Sequence, residues 1–260
     1  MAQDLLRDGD GRFFRGNLHC HSKRSDGAVE PEDVAAAYRA AGYDFICLSD
    51  HFEAPAPEEH AGAIGRAREV GAFVVMLHPG LNNLPLALAD RLPSLGAVHA
   101  VEVYNHNTAM AGSPDRAHGA YMLDGLLEKG YRVLVNAGDD AHFEHPADRF
   151  GGWVEVHCER LDPDALLEAL KAGRYYSTQG PALRELVVDG DGIEVKTSEA
   201  YAITLTGSGD RWLSGKDRTS QGGEAITEAV FDLSPFRGSY CRITIVDPAG
   251  RRAWSNPIWP

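Results

Sequence analysis

The chain has 260 residues, 43% of them hydrophobic and 24% charged, which is enough to bury a sizeable core in one large domain or in a large and a small one. Its net charge of −13 argues against duplex nucleic acid as a partner, because that binding relies on Lys and Arg side chains to neutralise phosphates. No apolar run reaches the roughly 18 residues of a membrane-spanning helix and no signal-like segment opens the sequence, so no contact with a membrane is expected. The four cysteines are scattered singly, which favours reduced thiols and a cytoplasmic location.

Up to about residue 180, short runs typical of buried strands alternate with runs typical of helices. The strand candidates are rich in β-branched, aromatic and aliphatic residues and cover 13–19, 43–49, 72–78, 97–105, 131–138 and 152–158. The helix candidates, most of which start near a proline and end at a glycine, cover 31–42, 57–71, 113–130 and 162–173. Alternating strands and helices predict an α/β domain built on a parallel sheet, either open or closed into a barrel.

From about residue 182 onward the helical periods disappear, and short alternating runs are separated by Asp-Gly and Pro-Ala-Gly turns. This pattern is typical of antiparallel hairpins, and its length suits a small β-sandwich. The sequence therefore predicts two domains, 11–181 and 182–260. The second is not expected to supply a metal ligand, because the last histidine of the chain is His157.

Polar side chains follow the ends of five predicted strands of the first domain, where a parallel barrel gathers its functional groups. These side chains are His19 and His21, Asp50 and His51, His78, then Glu102, Asn105 and His106, and finally Asp139, Asp140 and His142. Residues i and i+2 of a strand point to the same side, so His19 and His21 can grip one ion together, and so can Asp140 and His142. Imidazole and carboxylate ligands suit zinc, manganese or iron, which predicts a metal site.

Several neighbouring residues leave alternatives open. Asp26, in a Ser-Asp-Gly turn, is placed to add an oxygen ligand over the mouth of the site. Lys23 and Arg24 precede it and are either solvated or bind a phosphate. His106 is ambiguous, because only it or the preceding asparagine is expected to face the site. Glu102 is expected inside the barrel or behind a ligand rather than on the metal.

Five motifs occur in the order NLHCHSKRSDG, LSDH, HPG, VEVYN and GDDAH, and together they resemble the PHP (polymerase and histidinol phosphatase) superfamily over about residues 11–180. The β-rich tail, which ends in RRAWSNPIW, further resembles PHP metallohydrolases grouped with carbamate-hydrolysing enzymes. The resemblance implies a distorted (β/α)7 barrel with two or three divalent ions (Mn, Zn or Fe) at its C-terminal mouth. The ligands that it implies are His19, His21, Asp26, His51, His78, Asp140 and His142, with His106 as a further candidate. Asp50 would orient a ligating histidine.

One strand of the family pattern is absent from the sequence. The resemblance implies a glutamate at the end of a strand between the LSDH and HPG motifs, where its carboxylate bridges two ions, yet six barrel strands are predicted instead of seven. Glu53, Glu58 and Glu59 lie nearby without a strand context. A bridging carboxylate screens the repulsion between close cations, so its loss predicts partial occupancy, mainly at the ion held by His78. A mobile loop or an opening is expected at about residues 52–58.

These observations predict a metal-dependent hydrolase of a small anionic ester, which is a phosphomonoester or a nucleotide phosphodiester, with Lys23 or Arg24 orienting the phosphate. Two alternatives remain open. The same site could hydrolyse carbamate or carboxyl esters, which the resemblance of the tail favours. The chain could also be a degenerate metal-binding domain with little or no turnover, which the missing glutamate favours.

Overall fold

The structure is a computed structural model that describes residues 3–6, 11–52, 57–89, 95–214 and 225–260. The helices are α1 (Pro31–Ala40), α2 (Pro57–Glu69), α3 (Leu86–Ala89), α4 (His106–Ala111), α5 (Ala120–Glu128) and α6 (Pro163–Lys171). The first eight strands are β1 (Gln3–Leu6), β2 (Arg12–Cys20), β3 (Phe45–Leu48), β4 (Val75–Met76), β5 (Ala100–Asn105), β6 (Leu134–Gly138), β7 (Trp153–Cys158) and β8 (Tyr175–Thr178). The others are β9 (Leu183–Asp189), β10 (Gly192–Ala200), β11 (Ala202–Gly207), β12 (Trp212–Ser214), β13 (Ile226–Asp232), β14 (Cys241–Val246) and β15 (Arg252–Ser255). The six predicted strands of the first domain are confirmed as β2 to β7.

The strands form three sheets, and the architecture is α/β with mixed strand directions. The largest sheet has the order β12-β11-β14-β15-β8-β7-β2-β3, and only its β2–β3 pair is parallel. A three-stranded parallel sheet has the order β4-β5-β6. The third sheet, β1-β9-β10-β13, is antiparallel throughout.

The predicted (β/α)7 barrel is not confirmed, because the described strands do not close into one barrel. β7 runs antiparallel to β2 rather than parallel to it. β3 and β4 lie at the ends of two different sheets, and the described residues between them contain no strand. Glu53 and the rest of 53–56, the centre of the loop predicted to be mobile, lie outside the described residues.

The C-terminal strands lie in two sheets and pair there in antiparallel fashion. Ile193 and Val195 of one sheet meet Ile203, Leu205 and Ile243 of the other, and all five are fully buried. Full burial of each such side chain contributes about 1.5–3 kcal/mol. Two features were not predicted: β1, near the start of the chain, adds to β9, and the pairing of β8 with β15 continues one sheet across the proposed boundary at residue 181.

The helices cover the sheets with one apolar face. Met122, Leu123, Leu126 and Leu127 of α5 are buried against β5 and β6, and the spacing of these residues is that of a single helical face. The end of β6 is held against the end of β2, because Asp140 N–H donates to the His19 carbonyl at 2.9 Å. None of the helices in the described part of the chain is long and apolar enough to cross a membrane.

Candidate metal centre

Two groups of His and Asp side chains at the ends of β2, β3 and β6 have ligand atoms close enough to hold metal ions. The inner cluster is His19, His21 and Asp140, and the outer cluster is His21, Asp26, His51 and His142. In each cluster the ligand atoms lie within 4.8 Å of one another, and His21 belongs to both. The structure therefore brings together six of the residues that the sequence singled out as ligands.

Local backbone geometry places the inner ligands. His19 and His21 are two residues apart at the end of β2, and both are buried on the side that faces β6. Asp140 has φ of +57°, a conformation that aspartate tolerates better than most residues but that still costs about 1–3 kcal/mol. This turn follows directly after β6 and returns the Asp140 carboxylate toward both histidine rings.

The inner cluster turns one histidine nitrogen toward the place of an ion. His19 Nδ1 lies 2.8 Å from Glu102 Oε1, and because a carboxylate only accepts, Nδ1 donates to it and Nε2 is the nitrogen that would ligate an ion. His19 Nε2 and His21 Nε2 each lie 3.0 Å from Asp140 Oδ1. Ligands at about 2.0–2.1 Å from a common ion lie roughly 3.0–3.4 Å from one another, so this spacing fits one divalent cation. A carboxylate behind a ligating histidine is also the usual way to fix its ring.

The charges around His19 favour a cation. Burial lowers the pKa of His19, but the carboxylates of Glu102 and Asp140 outweigh it and raise that pKa to about 10. Burial raises the pKa of Asp140, but hydrogen bonds from His19 and His21 bring it well below its ordinary value. The carboxylates that hold a proton on a fully buried imidazole would hold a divalent ion in its place.

The outer cluster is centred on Asp26 and is more open to solvent. Asp26 Oδ2 lies 3.3 Å from His51 Nε2 and 3.3 Å from His142 Nε2, and Asp26 Oδ1 lies 3.5 Å from His21 Nδ1. His142 Nδ1 donates to the Asp140 carbonyl at 2.7 Å, which turns its Nε2 toward Asp26. The side chain of His51 is 56% exposed and that of Asp26 is 50% exposed. Burial raises the pKa of Asp26, but His142 and its other neighbours hold it below the ordinary value.

The donor sets fit a divalent transition metal. His19 Nε2 and His21 Nδ1 are buried and face the carboxylates of Asp140 at 3.0 Å and of Asp26 at 3.5 Å. An ion bound between each nitrogen and its carboxylate would be ligated by both. Imidazole nitrogen with carboxylate oxygen suits zinc, manganese or iron.

Two predicted ligands lie outside both clusters. His78 donates its main-chain N–H to Glu102 Oε2 at 2.8 Å, and the centre of its ring is 5.4 Å from that of His19. His106 lies 2.9 Å, through Nδ1, from the Tyr104 hydroxyl. Its neighbour Asn105 faces the site instead, donating through Nδ2 to Asp140 Oδ2 at 3.1 Å. Glu102 stands behind His19, in agreement with one of the two positions expected for it.

Three residues are predicted to assist catalysis: Lys23, Arg24 and Asp50. Lys23 and Arg24 lie on the loop that follows β2 and carries Asp26, and Asp50 contacts this loop. Asp50 accepts hydrogen bonds from Ser22 N–H at 2.6 Å, from the Ser22 hydroxyl at 2.8 Å and from the Ser25 hydroxyl at 3.0 Å, so it holds the loop that carries Asp26 rather than a histidine ring. Burial raises the pKa of Asp50, but these hydrogen bonds outweigh burial and hold the pKa below its ordinary value. Lys23 pairs with Glu30 at 3.1 Å on the surface, and Arg24 is exposed.

Comparisons with known proteins were made for the sequence and for the fold. No protein-family model matches the chain. A 5'-3' exoribonuclease of Haemophilus influenzae is 27% identical over 217 residues, which cover 69% of this chain and 78% of that protein. A crystal structure from Bacteroides vulgatus, of a two-domain protein containing a predicted PHP-like metal-dependent phosphoesterase, superposes with a TM-score of 0.52 at 14% identity. Neither is described as a carbamate hydrolase. The superposition covers 97% of both chains, so this protein shares the fold of that two-domain protein over nearly its whole length.

Proposed function

We propose that this protein is a PHP-like metal-dependent hydrolase that cleaves a phosphoester. The observation that carries the proposal is the pair of clusters, which share His21 and bring imidazole nitrogens and carboxylate oxygens within 4.8 Å of one another. The fold that the chain shares with a protein described as containing a PHP-like phosphoesterase supports it, and so does the similarity to an exoribonuclease, which also cleaves phosphoester bonds.

The buried residues are proposed to hold metal, and the exposed residues are proposed to admit the substrate. Divalent ions, when bound, would polarise a phosphoryl oxygen and lower the pKa of a water molecule. Glu102 holds His19 in the tautomer that ligates through Nε2, and Asp140 lies between the two inner histidines. The half-exposed Asp26 and His51 mark the side from which an ester can enter. Lys23 and Arg24 are exposed shortly before Asp26 in the sequence, and they are proposed to attract the negative charge of the ester.

The proposed substrate is a small phosphomonoester or a nucleotide phosphodiester. The exoribonuclease relative favours the end of a single-stranded nucleotide chain over a duplex, and the net charge of −13 agrees with this. All four cysteines are free, which supports a reducing compartment such as the cytoplasm.

The test is a substrate panel on protein stripped of metal and then reloaded with Mn²⁺ or Zn²⁺. The panel contains p-nitrophenyl phosphate, bis-p-nitrophenyl phosphate, a short single-stranded RNA and an aryl carbamate. We expect hydrolysis of at least one phosphoester, its loss in His19→Ala and its retention in His157→Ala, a histidine outside both clusters. Hydrolysis of the carbamate alone, or no turnover by metal-loaded protein, would refute the proposal.

A further inference from the structure

Asp139, the residue before the inner ligand Asp140, is fully buried and accepts five hydrogen bonds. Its Oδ1 accepts from the main-chain N–H groups of Gly151 and Gly152, both at 2.9 Å. Its Oδ2 accepts from Phe150 N–H at 2.8 Å, from the Tyr38 hydroxyl at 2.7 Å and from the side-chain amide of Asn17 at 2.5 Å. One carboxylate thus ties β2, α1 and the segment before β7 to the end of β6.

The groups around Asp139 require its carboxylate to accept hydrogen bonds. Three main-chain amides and the Nδ2 group of Asn17 can only donate, so a protonated Asp139 would lose partners. No Lys, Arg or His forms an ion pair with Asp139 within the described part of the chain. Burying a carboxylate without a cation is costly unless hydrogen bonds compensate for its lost hydration, so all five donors are needed.

Two routes lead from Asp139 to the inner cluster. The first is the peptide bond to Asp140, whose left-handed φ makes its direction sensitive to how the preceding residue is held. The second passes through Asn17, whose Oδ1 accepts from His19 N–H at 2.8 Å while its Nδ2 donates to Asp139. Asp139 therefore reaches both a carboxylate ligand and an imidazole ligand without approaching the ion itself.

We propose that Asp139 is the positioning residue of the inner cluster, which it holds in register for a divalent ion by fixing Asp140 directly and His19 through Asn17. This inference rests on the proposed metal-dependent function. It extends that proposal by assigning metal affinity to a residue that is not a ligand.

The test compares Asp139→Asn with Asp247→Asn by calorimetric titration of metal-free protein with Mn²⁺. Asp247 is a matched control, because it is buried in a turn of the β-sandwich and accepts from the N–H groups of Ala249 and Arg251, both at 2.9 Å. Each variant is also made in a His51→Ala background, which removes an outer ligand, so that the isotherm reports the inner cluster. Thermal unfolding of the metal-free proteins measures the structural cost separately.

We expect Asp139→Asn to weaken Mn²⁺ binding at the inner cluster by roughly 10–100-fold, the range found when a partner behind a metal ligand is removed. Asp247→Asn should lower the melting temperature but change that affinity by less than about threefold. Equal affinity in both variants would overturn the proposal and leave Asp139 a purely structural residue.

Asn17→Ala is the second variant if Asp139→Asn does not fold. It breaks the route to His19 but keeps the three main-chain donors of Asp139 in place, and we expect about a tenfold loss of Mn²⁺ affinity. An unchanged affinity would overturn the proposal. Failure of the wild-type protein to bind Mn²⁺ at all would refute the proposed function as well, which separates the two conclusions.

Discussion

His21 is the one residue that both clusters contain, and its replacement is expected to weaken both. His21 Nε2 lies 3.0 Å from Asp140 Oδ1 in the inner cluster, and its Nδ1 lies 3.5 Å from Asp26 Oδ1 in the outer cluster. His21→Ala leaves two of three inner ligands and three of four outer ligands. By contrast, His19→Ala affects only the inner cluster and His51→Ala only the outer one.

The size of the effect follows from the linkage between binding and stability. An ion present at 100 times its dissociation constant stabilises the folded state by about 2.7 kcal/mol. In a chain of this size, 1 kcal/mol shifts the melting temperature by about 2–4 °C, so each filled site adds roughly 5–11 °C. Wild-type protein with both sites filled should gain about twice that shift, whereas His19→Ala and His51→Ala should each gain about half of the wild-type amount.

The assay is thermal unfolding of each stripped variant with and without Mn²⁺, together with the metal content of the dialysed protein. The metal-free melting temperature of each variant is its own reference, so a cavity left by the lost ring does not enter the comparison. His21→Ala should gain less from the ion than either single-cluster variant. A gain equal to that of His19→Ala would show that His21 serves only the inner cluster, and a wild-type gain would refute the assignment of His21 altogether.

Three further predictions concern the carboxylate behind His19, the ion pair that joins β14 to α5, and the dependence of hydrolysis on metal. Glu102→Gln should weaken Mn²⁺ binding by roughly 10–100-fold in calorimetry, because a neutral amide holds His19 Nδ1–H less firmly, and an unchanged isotherm would contradict this. Arg242→Ala should lower the free energy of unfolding in urea by about 2–3 kcal/mol, because it breaks a largely buried two-pronged pair with Asp124 at 2.7 and 2.8 Å, whereas Arg237→Ala, which breaks an exposed pair, should lower it much less. A chelator should abolish phosphoester hydrolysis and added Mn²⁺ should restore it, and a rate that the chelator leaves unchanged would count against metal dependence.

Local sequence patterns predicted where strands occur better than they predicted whether paired strands run parallel or antiparallel. The apolar composition of residues 152–158 identifies a strand, but the same composition would serve a parallel or an antiparallel neighbour. The pairing of Arg12 with Cys158, which makes β7 antiparallel to β2, depends on contacts between distant parts of the chain. β1 is only four residues long, and its partner β9 lies far along the sequence, so no local period signals it.

The candidate site was predictable where spacing alone decides which side a residue faces. His19 and His21 face one way because they are two apart on a strand, and the structure places both in the inner cluster. The sharing of His21 depends on which ring nitrogen faces which carboxylate, and spacing does not specify this. Asn17 was missed, although a buried polar residue two positions before His19 on the same face was the available signal.

The carboxylates near the clusters decide where negative charge is supplied to the site. The sequence resemblance implies a further strand whose glutamate would bridge two ions, but β3 and β4 end separate sheets and the described residues between them form no strand. The carboxylates that the structure does provide are Asp140 at the inner cluster, Asp26 at the outer one and Glu102 behind His19. Each cluster therefore has a carboxylate of its own, while the contact of His78 with Glu102 is made by its main-chain N–H group. We therefore expect the carboxylates to balance two ions, and we expect a third ion at His78 to bind more weakly because it would lack a carboxylate of its own.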